Sequence, residues 1–263
     1  VIKKLKDLNS LITGINLNLE DLMPNKLIKI NNKNYTFKKI IVSVGKSINL
    51  SPGQKSIIFN RDHHSYVGFF KHENDHKNIA YEIFKKEGPL AVLPSPSSNR
   101  NKSTFIFSTS KKISSSDIRS LINKNFKISH GRLIFDKSID KFPVIPHLKK
   151  YNKDYIYIGD TLRSIHPVAG QGWNLGVKDI QTLSKLTEQY SLESKIFNSI
   201  YFSRRMIEST LYLGFTSLVN FLYENQSSAN KNILKVGFET LRNFRIFRDL
   251  FIKQAMGKIN LID

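Results

Sequence analysis

The 263-residue chain contains no cysteine. That excludes disulfides, Cys-ligated zinc and a thiol nucleophile, and it leaves no sign of a secreted disulfide scaffold. A reducing compartment fits. Acidic residues are scarce: Asp and Glu number 21 against 41 Lys and Arg, a formal charge of +20. Such an excess attracts nucleic acid or an anionic membrane surface. Zinc-finger spacing and an aromatic-glycine RNA motif are both missing, and the basic residues are scattered among Asn and Ile, so nucleic acid is the minor reading. Long hydrophobic runs are missing as well. The longest, Leu211 to Tyr223, is interrupted by Thr216, Ser217 and Asn220 and is too short to span a bilayer. No signal-peptide pattern is visible, and the opening Val1-Ile-Lys-Lys-Leu-Lys-Asp7 is helix-like, so the chain reads as a fragment. His63, His64, His72, His76, His130 and His147 show no ligand spacing with carboxylates, and no metal site is expected. With 40% hydrophobic residues the chain can bury a core of one large domain or two.

The most informative stretch runs from Tyr155 to Asp179. Tyr155 to Ile158 are β-branched or aromatic and suit a short buried strand, which Gly159-Asp160 ends where a ligand could meet its carboxyl end. A loop follows, punctuated by His166-Pro167 and Gly170-Gln171-Gly172. From Asn174 the apolar residues Val177, Ile180 and Leu183 recur at helical spacing. Glycines just before a helix permit close backbone approach, and the exposed N–H groups at the helix start favour an anionic or electron-rich ligand.

Gly159-Asp160, Pro167 and Gly170-Gln171-Gly172-x-Asn174-x-Gly176 with Asp179 resemble the second flavin-binding motif of the FAD-dependent aromatic hydroxylases. Within that group, His166-Pro-Val-Ala-Gly-Gln-Gly-Trp-Asn-Leu-Gly176 is most similar to the ubiquinone-biosynthesis hydroxylases that act on polyprenyl phenols. The resemblance implies an α/β (α+β) fold: a partial FAD-binding Rossmann-like domain, an inserted and mostly antiparallel substrate sheet, and C-terminal helices. It divides the chain into residues 1–50, 51–150, 151–190 and 191–263, the first and third belonging to the FAD-binding domain. It implies FAD as cofactor, held by Gly159, Asp160, Pro167, Ala169, Gly170, Gln171, Gly172 and Asn174, and NAD(P)H as reductant. Asp160 would accept a hydrogen bond from a ribityl hydroxyl. The Gly170–Gly172 backbone N–H groups would face the pyrimidine end of the flavin, and Asn174 would start the helix or add a contact. The implied reaction is transfer of oxygen from a flavin C4a-hydroperoxide to an aromatic ring. His166 is a candidate for positioning substrate or a proton, with simple packing as the alternative. Arg163 contacts a phosphate or faces solvent.

Two departures qualify the resemblance. The family's N-terminal βαβ unit with Gly-x-Gly-x-x-Gly is absent, and a strand that normally ends in Asp-Gly ends here in Val44-Gly45. The expectation is an N-terminally truncated hydroxylase that binds FAD weakly by itself. The alternative is a cofactor-free, non-catalytic membrane or scaffold homologue.

Elsewhere, extended segments are expected around Ile15–Leu19, Leu27–Ile30 and Tyr35–Val44, with Asn31 to Asn34 as a turn. Further strands are expected at Ser56–Phe59, Tyr66–Phe70, Leu90–Leu93, Thr104–Ser108 and Arg132–Phe135. Helical character is expected at Ile79–Phe84 and, capped by Ser114 to Asp117, at Ser116–Phe126. One long helix begins at Tyr201. A second carries Leu234, Phe238, Leu241, Phe244, Phe247 and Phe251 on one face with Lys231, Lys235, Arg242, Arg245, Arg248, Lys253 and Lys258, and either packs on the domain or touches a membrane through residues 231–258. The resemblance further implies a polyprenyl-phenol substrate, a complex with other ubiquinone-biosynthesis proteins, and a cytoplasmic location peripheral to the inner membrane.

Overall fold

The computed structural model describes residues 7, 11–15, 22, 24–45, 56–58, 63–95, 99–166, 170–225 and 227–255. The first hairpin joins β1 (Ile28–Ile30) to β2 (Lys33–Tyr35). Ile30 pairs with Lys33 across a two-residue turn in which Asn31 and Asn32 both have positive φ, 49° and 61°. That geometry matches the right-handed strand twist, and asparagine tolerates it. β3 (Ile40–Val42) and β4 (Ser56–Ile58) follow. The segments expected at 15–19 lie largely outside the described residues.

A six-stranded antiparallel sheet then forms from β5 (His63–His72), β6 (Tyr81–Lys85), β7 (Gly88–Pro94), β8 (Lys102–Thr109), β9 (Leu133–Phe135) and β10 (Asp140–Val144). The order is β10-β5-β8-β7-β6, with β9 pairing the far end of β5. Its buried face alternates along the strands: Tyr66 and Phe70, Leu90 and Val92, Phe105 and Phe107. Against these lies α1 (Ser115–His130), which contributes Ile118, Ile122 and Phe126 at four-residue spacing. Ser114 caps this helix by accepting the Asp117 N–H at 3.2 Å. Ile79–Phe84 does not form the helix its apolar residues suggest. Tyr81–Lys85 is a strand because it pairs residue by residue with β7 across a two-residue turn, and tertiary pairing overrides an ambiguous local period.

Three buried histidines, His72, His76 and His130, meet at one end of this sheet, with the His72 and His130 rings 4.8 Å apart. Burial pushes both His72 and His130 below 6.5; at His72 the bond to the Asn74 carbonyl opposes this, His76 lowers both, and His72 lowers His130 as well. The folded state therefore binds fewer protons than the unfolded chain. The stability they contribute is present above 6.5 and is lost as pH falls below it. We expect the unfolding free energy to drop on acidification through this window, by up to roughly 1.4 kcal/mol per pH unit for each histidine concerned. His130→Phe should flatten the slope; an unchanged pH profile in that variant would contradict the assignment.

The second half of the chain builds smaller sheets. β11 (His147–Lys149) joins β4 and β13 (Arg163–Ser164), while β12 (Tyr155–Tyr157) runs parallel to β3. Two helices cover them: α2 (Gly172–Gln189) and α3 (Phe197–Glu224). Ile156, Leu183, Leu186, Phe197 and Tyr201 form the shared core, and the buried Tyr201 hydroxyl donates to the Tyr157 carbonyl at 2.9 Å. The last expected helix is two, α4 (Ser228–Asn243) and α5 (Arg245–Ala255), broken where Phe244 adopts an extended conformation. The Arg248 guanidinium reaches back to the Arg242 carbonyl at 3.4 Å across this break. Lys258 lies outside the described residues.

Candidate functional site

β3 and β12 are parallel neighbours, and the chain leaving their carboxyl ends forms the walls of a cavity of about 530 Å³. Ser43 follows β3. Ile158, Gly159 and Asp160 follow β12, where Gly159–Thr161 makes a single 3-10 turn. The opposite wall is the start of α2, which offers Trp173, Gly176, Val177 and Ile180 at helical spacing, while Gly170, Gln171 and Gly172 line the entry to that helix. The crevice beyond the carboxyl ends of parallel strands is where open α/β sheets hold ligands, and the volume suits one.

The turn is pinned from both sides. Thr161 accepts the Val44 N–H on its hydroxyl at 2.8 Å and donates to the Gly45 carbonyl at 3.2 Å, tying the end of β3 to the turn. Gly159 sits at φ 58° and donates its N–H to the Asp179 carboxylate at 2.7 Å. That backbone conformation strains any residue with a Cβ. Gly176 brings α2 against this turn: a Cβ there would lie 3.5 Å from the Gly159 Cα.

Asp179 is fully buried and is the centre of a charged network. It receives both terminal nitrogens of Arg163 at 2.9 Å and Nε of Arg205 at 2.7 Å. Arg205 also donates to Glu208 at 2.6 Å, and Lys178 Nζ donates to the other Glu208 oxygen at 2.5 Å. Burial acts to lower the Arg205 pKa, but Asp179 and Glu208 outweigh it and hold the guanidinium above its ordinary value. Burial likewise works to raise Glu208, and Lys178 and Arg205 overcome it and keep the carboxyl low. The network fastens β13, α2 and α3 beneath the cavity. Arg163 therefore neither faces solvent nor is placed for a phosphate: it is 2% exposed and committed to Asp179.

The motif residues divide as follows. Gly159, Asp160, Gly170, Gln171 and Gly172 all line the cavity, and a Cβ on Gly172 would lie 3.6 Å from Asp160 Oδ1. Pro167 and Ala169 fall outside the described residues. The helix begins at Gly172, two residues before the expected start, and the side chain of its N-cap Gln171 caps no backbone N–H of the first turn. Asn174 lies inside that turn, donates to Gln171 Oε1 at 3.1 Å and is not part of the lining. His166 does line the cavity. It is 4% exposed, with its ring edge-on to His63 at 5.0 Å, and His63 Nε2 is 2.7 Å from Glu224 Oε1. Beneath the turn, burial pushes the His147 imidazole down from its usual range, opposed by the Ile145 and Thr161 carbonyls and by the charge of Asp160. Among the described residues no group of histidines and carboxylates could hold a metal ion. Trp173, the chain's single tryptophan, was not expected in the site, yet it stands 81% exposed on the rim. Its position one residue into α2 was the available signal.

A second cavity, about 340 Å³, lies against the sheet face formed by Tyr81, Glu82, Pro89, Ala91, Leu93, Ile106 and Ser108. Gly170 lines both cavities, so the loop is their common wall.

A strand, turn and helix around one cavity, faced by an antiparallel sheet across a shared loop, define the class: the chain has the fold of the FAD-dependent monooxygenases. It superposes on p-nitrophenol 4-monooxygenase from Pseudomonas putida with a TM-score of 0.63 at 14% identity, covering 82% of this chain and 58% of that one. The Diels-Alderase of pyrroindomycin biosynthesis gives 0.65 at 12% identity, covering 90% and 53%. These two neighbours carry different reactions, so the likeness speaks for the fold alone. In sequence, the chain is similar to ubiquinone hydroxylases. It is 26% identical over 207 residues to ubiquinone hydroxylase UbiL of Rhodospirillum rubrum, covering 73% of this chain and 47% of that one. It is 23% identical over 224 residues to the mitochondrial ubiquinone biosynthesis monooxygenase COQ6 of Schizosaccharomyces pombe, covering 63% and 46%. The chain thus spans about half the length of the curated relatives it matches. No protein-family model matches it.

Proposed function

We propose that this chain carries the flavin-ring and substrate sites of an FAD-dependent monooxygenase that hydroxylates the aromatic ring of a polyprenyl phenol in ubiquinone biosynthesis. The observation that supports it most is convergence: the Asp160 carboxylate and the first turn of α2 address one cavity at the ends of parallel strands. The residues present fit the group. Asp160, in the cavity lining, would accept a hydroxyl hydrogen bond from a ribityl chain, and the first N–H groups of α2 suit an electron-rich ring edge. Trp173, Val177 and Ile180 supply an apolar wall. When bound, a flavin reduced by NAD(P)H activates O₂, placing one oxygen atom on the ring and the other in water. The chain's own part is to orient the ring, exclude water and hold charge at the loop. The second cavity, apolar along Pro89, Ala91, Leu93 and Ile106, suits a phenol ring entering beside Gly170. A prenylated substrate is dissolved in the bilayer, so the same reading places the protein in peripheral contact with the cytoplasmic membrane, among other enzymes acting on that lipid.

The test uses Trp173. Titration with FAD or FMN should quench the emission of this single tryptophan, because it stands on the cavity rim. Asp160→Ala should weaken that affinity about tenfold or more, the worth of a hydrogen bond to a charged group. Absence of quenching up to the solubility limit of FMN would remove the flavin site, and equal affinity in the variant would remove the role given to Asp160.

A further inference from the structure

We propose that α4 and α5 form a docking surface for an anionic phospholipid bilayer. The inference rests on the reading of a lipid-tailed substrate only for its biological sense; its structural ground is separate. An amphipathic helix in a folded domain ordinarily buries its apolar stripe against its own core. α4 does not: none of its residues is buried. Ile233, Val236, Gly237, Thr240 and Leu241 recur at three- and four-residue spacing along one side. Ile233 and Val236 are 56% and 61% exposed, and Phe238, at the edge of this apolar side next to Lys231 and Arg242, is 52% exposed. The pattern continues through the break, where Phe244, Ile246 and Phe247 are 58%, 74% and 55% exposed. Large apolar side chains left exposed in such density mark an interaction site.

Charge identifies the partner. Between Ser228 and Ala255 there are six basic residues, Lys231, Lys235, Arg242, Arg245, Arg248 and Lys253, against Glu239 and Asp249, a net charge of 6 − 2 = +4. Lys231, Lys235 and Arg242 lie on the side of α4 away from Ile233 and Val236, the arrangement of a helix that buries one side in the acyl boundary and keeps cations at the headgroups. With 16 and 11 residues, neither helix is long enough to cross a bilayer, and no described helix of the chain is long and apolar enough to do so. Lying in the interface is the geometry left to them. Cations beside apolar side chains complement anionic headgroups and would be repelled by the equally basic surface of a second copy.

The full chain should bind vesicles of phosphatidylcholine containing phosphatidylglycerol, bind pure phosphatidylcholine vesicles far more weakly, and be released by salt. Phe238→Glu with Phe247→Glu should lower the partition by roughly tenfold or more for each aromatic lost. Lys231→Gln with Lys235→Gln and Arg242→Gln should lower it by about fivefold per cation. All five positions are solvent-exposed, so the variants should keep the parent's melting temperature. Failure to bind the anionic vesicles overturns the proposal. So does binding that the aromatic pair of substitutions leaves unchanged, which would assign it to the chain's general +20 charge. A dimer that the same pair disperses, without vesicle binding, would give the surface to a second copy. Flavin titration is unaffected by any of these outcomes, so the two readings fail separately.

Discussion

Replacing Asp179 by Ala should lower the unfolding free energy by about 3–5 kcal/mol, because it strips a fully buried carboxylate from two buried guanidinium groups. Arg205 retains Glu208, but Arg163, 2% exposed, loses both of its charge-assisted bonds. A midpoint lower by roughly 10 °C in thermal unfolding is the expected reading for a chain of this size. The effect reaches the site, since the same carboxylate holds the Gly159 N–H and so shapes the turn that presents Asp160. Tryptophan quenching by FMN should therefore weaken even at temperatures where the variant is folded. Glu193→Ala is the control: its pair with Lys38 lies in solvent, and the midpoint should not move. A loss no larger than that control's would show that the buried network is not what fastens α2 and α3 to the turn.

This network also marks the limit of what local sequence reasoning reaches. The strand-turn-helix of residues 155–189 was legible because each part is local: β-forming residues, a Gly-Asp end, glycines before an amphipathic period. The Ser114 cap was legible for the same reason, as was the turn at Asn31 and Asn32, although Lys33 and Asn34, expected in that turn, belong to β2. Arg163 was not, because its partner is 16 residues away on another element and Arg205 lies 26 residues from Asp179. Nothing in the immediate neighbourhood of an arginine tells whether it meets a ligand, water or a buried carboxylate. β6 was misread where Ile79, Ala80, Tyr81, Ile83 and Phe84 satisfy a helical and an extended pattern equally, and only pairing with β7 decides. The exposed state of α4 is the converse: the apolar period predicted helix there but not the break at Phe244, and whether that stripe meets the core is a tertiary fact.

The hairpin that resolved the β6 ambiguity yields the other large expected effect. Gly88 opens β7 at φ 136°, and a Cβ built there would lie 1.9 Å from the backbone carbonyl oxygen of Ser108 on β8. A backbone atom inside a sheet ladder cannot rotate away, so Gly88→Ala must either pull β7 from β8 or move the turn. Overpacking and an unfavourable φ each cost about 1–3 kcal/mol, so a loss of about 4 kcal/mol is expected. Gly214, within α3, is the opposite case: nothing lies within 4 Å of its added Cβ, and Gly214→Ala should be neutral or stabilising by up to about 1 kcal/mol. Denaturant unfolding of the two variants side by side separates steric clash from any general intolerance of alanine. The Gly88 change should also reach the second cavity, because Pro89, Ala91 and Leu93 on β7 form its wall and Phe84 ties the hairpin to Tyr223 of α3 with ring centroids 4.4 Å apart. If Gly88→Ala unfolds no earlier than Gly214→Ala, the close approach of β7 to β8 is not a constraint on the sheet, and the shape of that cavity does not depend on it.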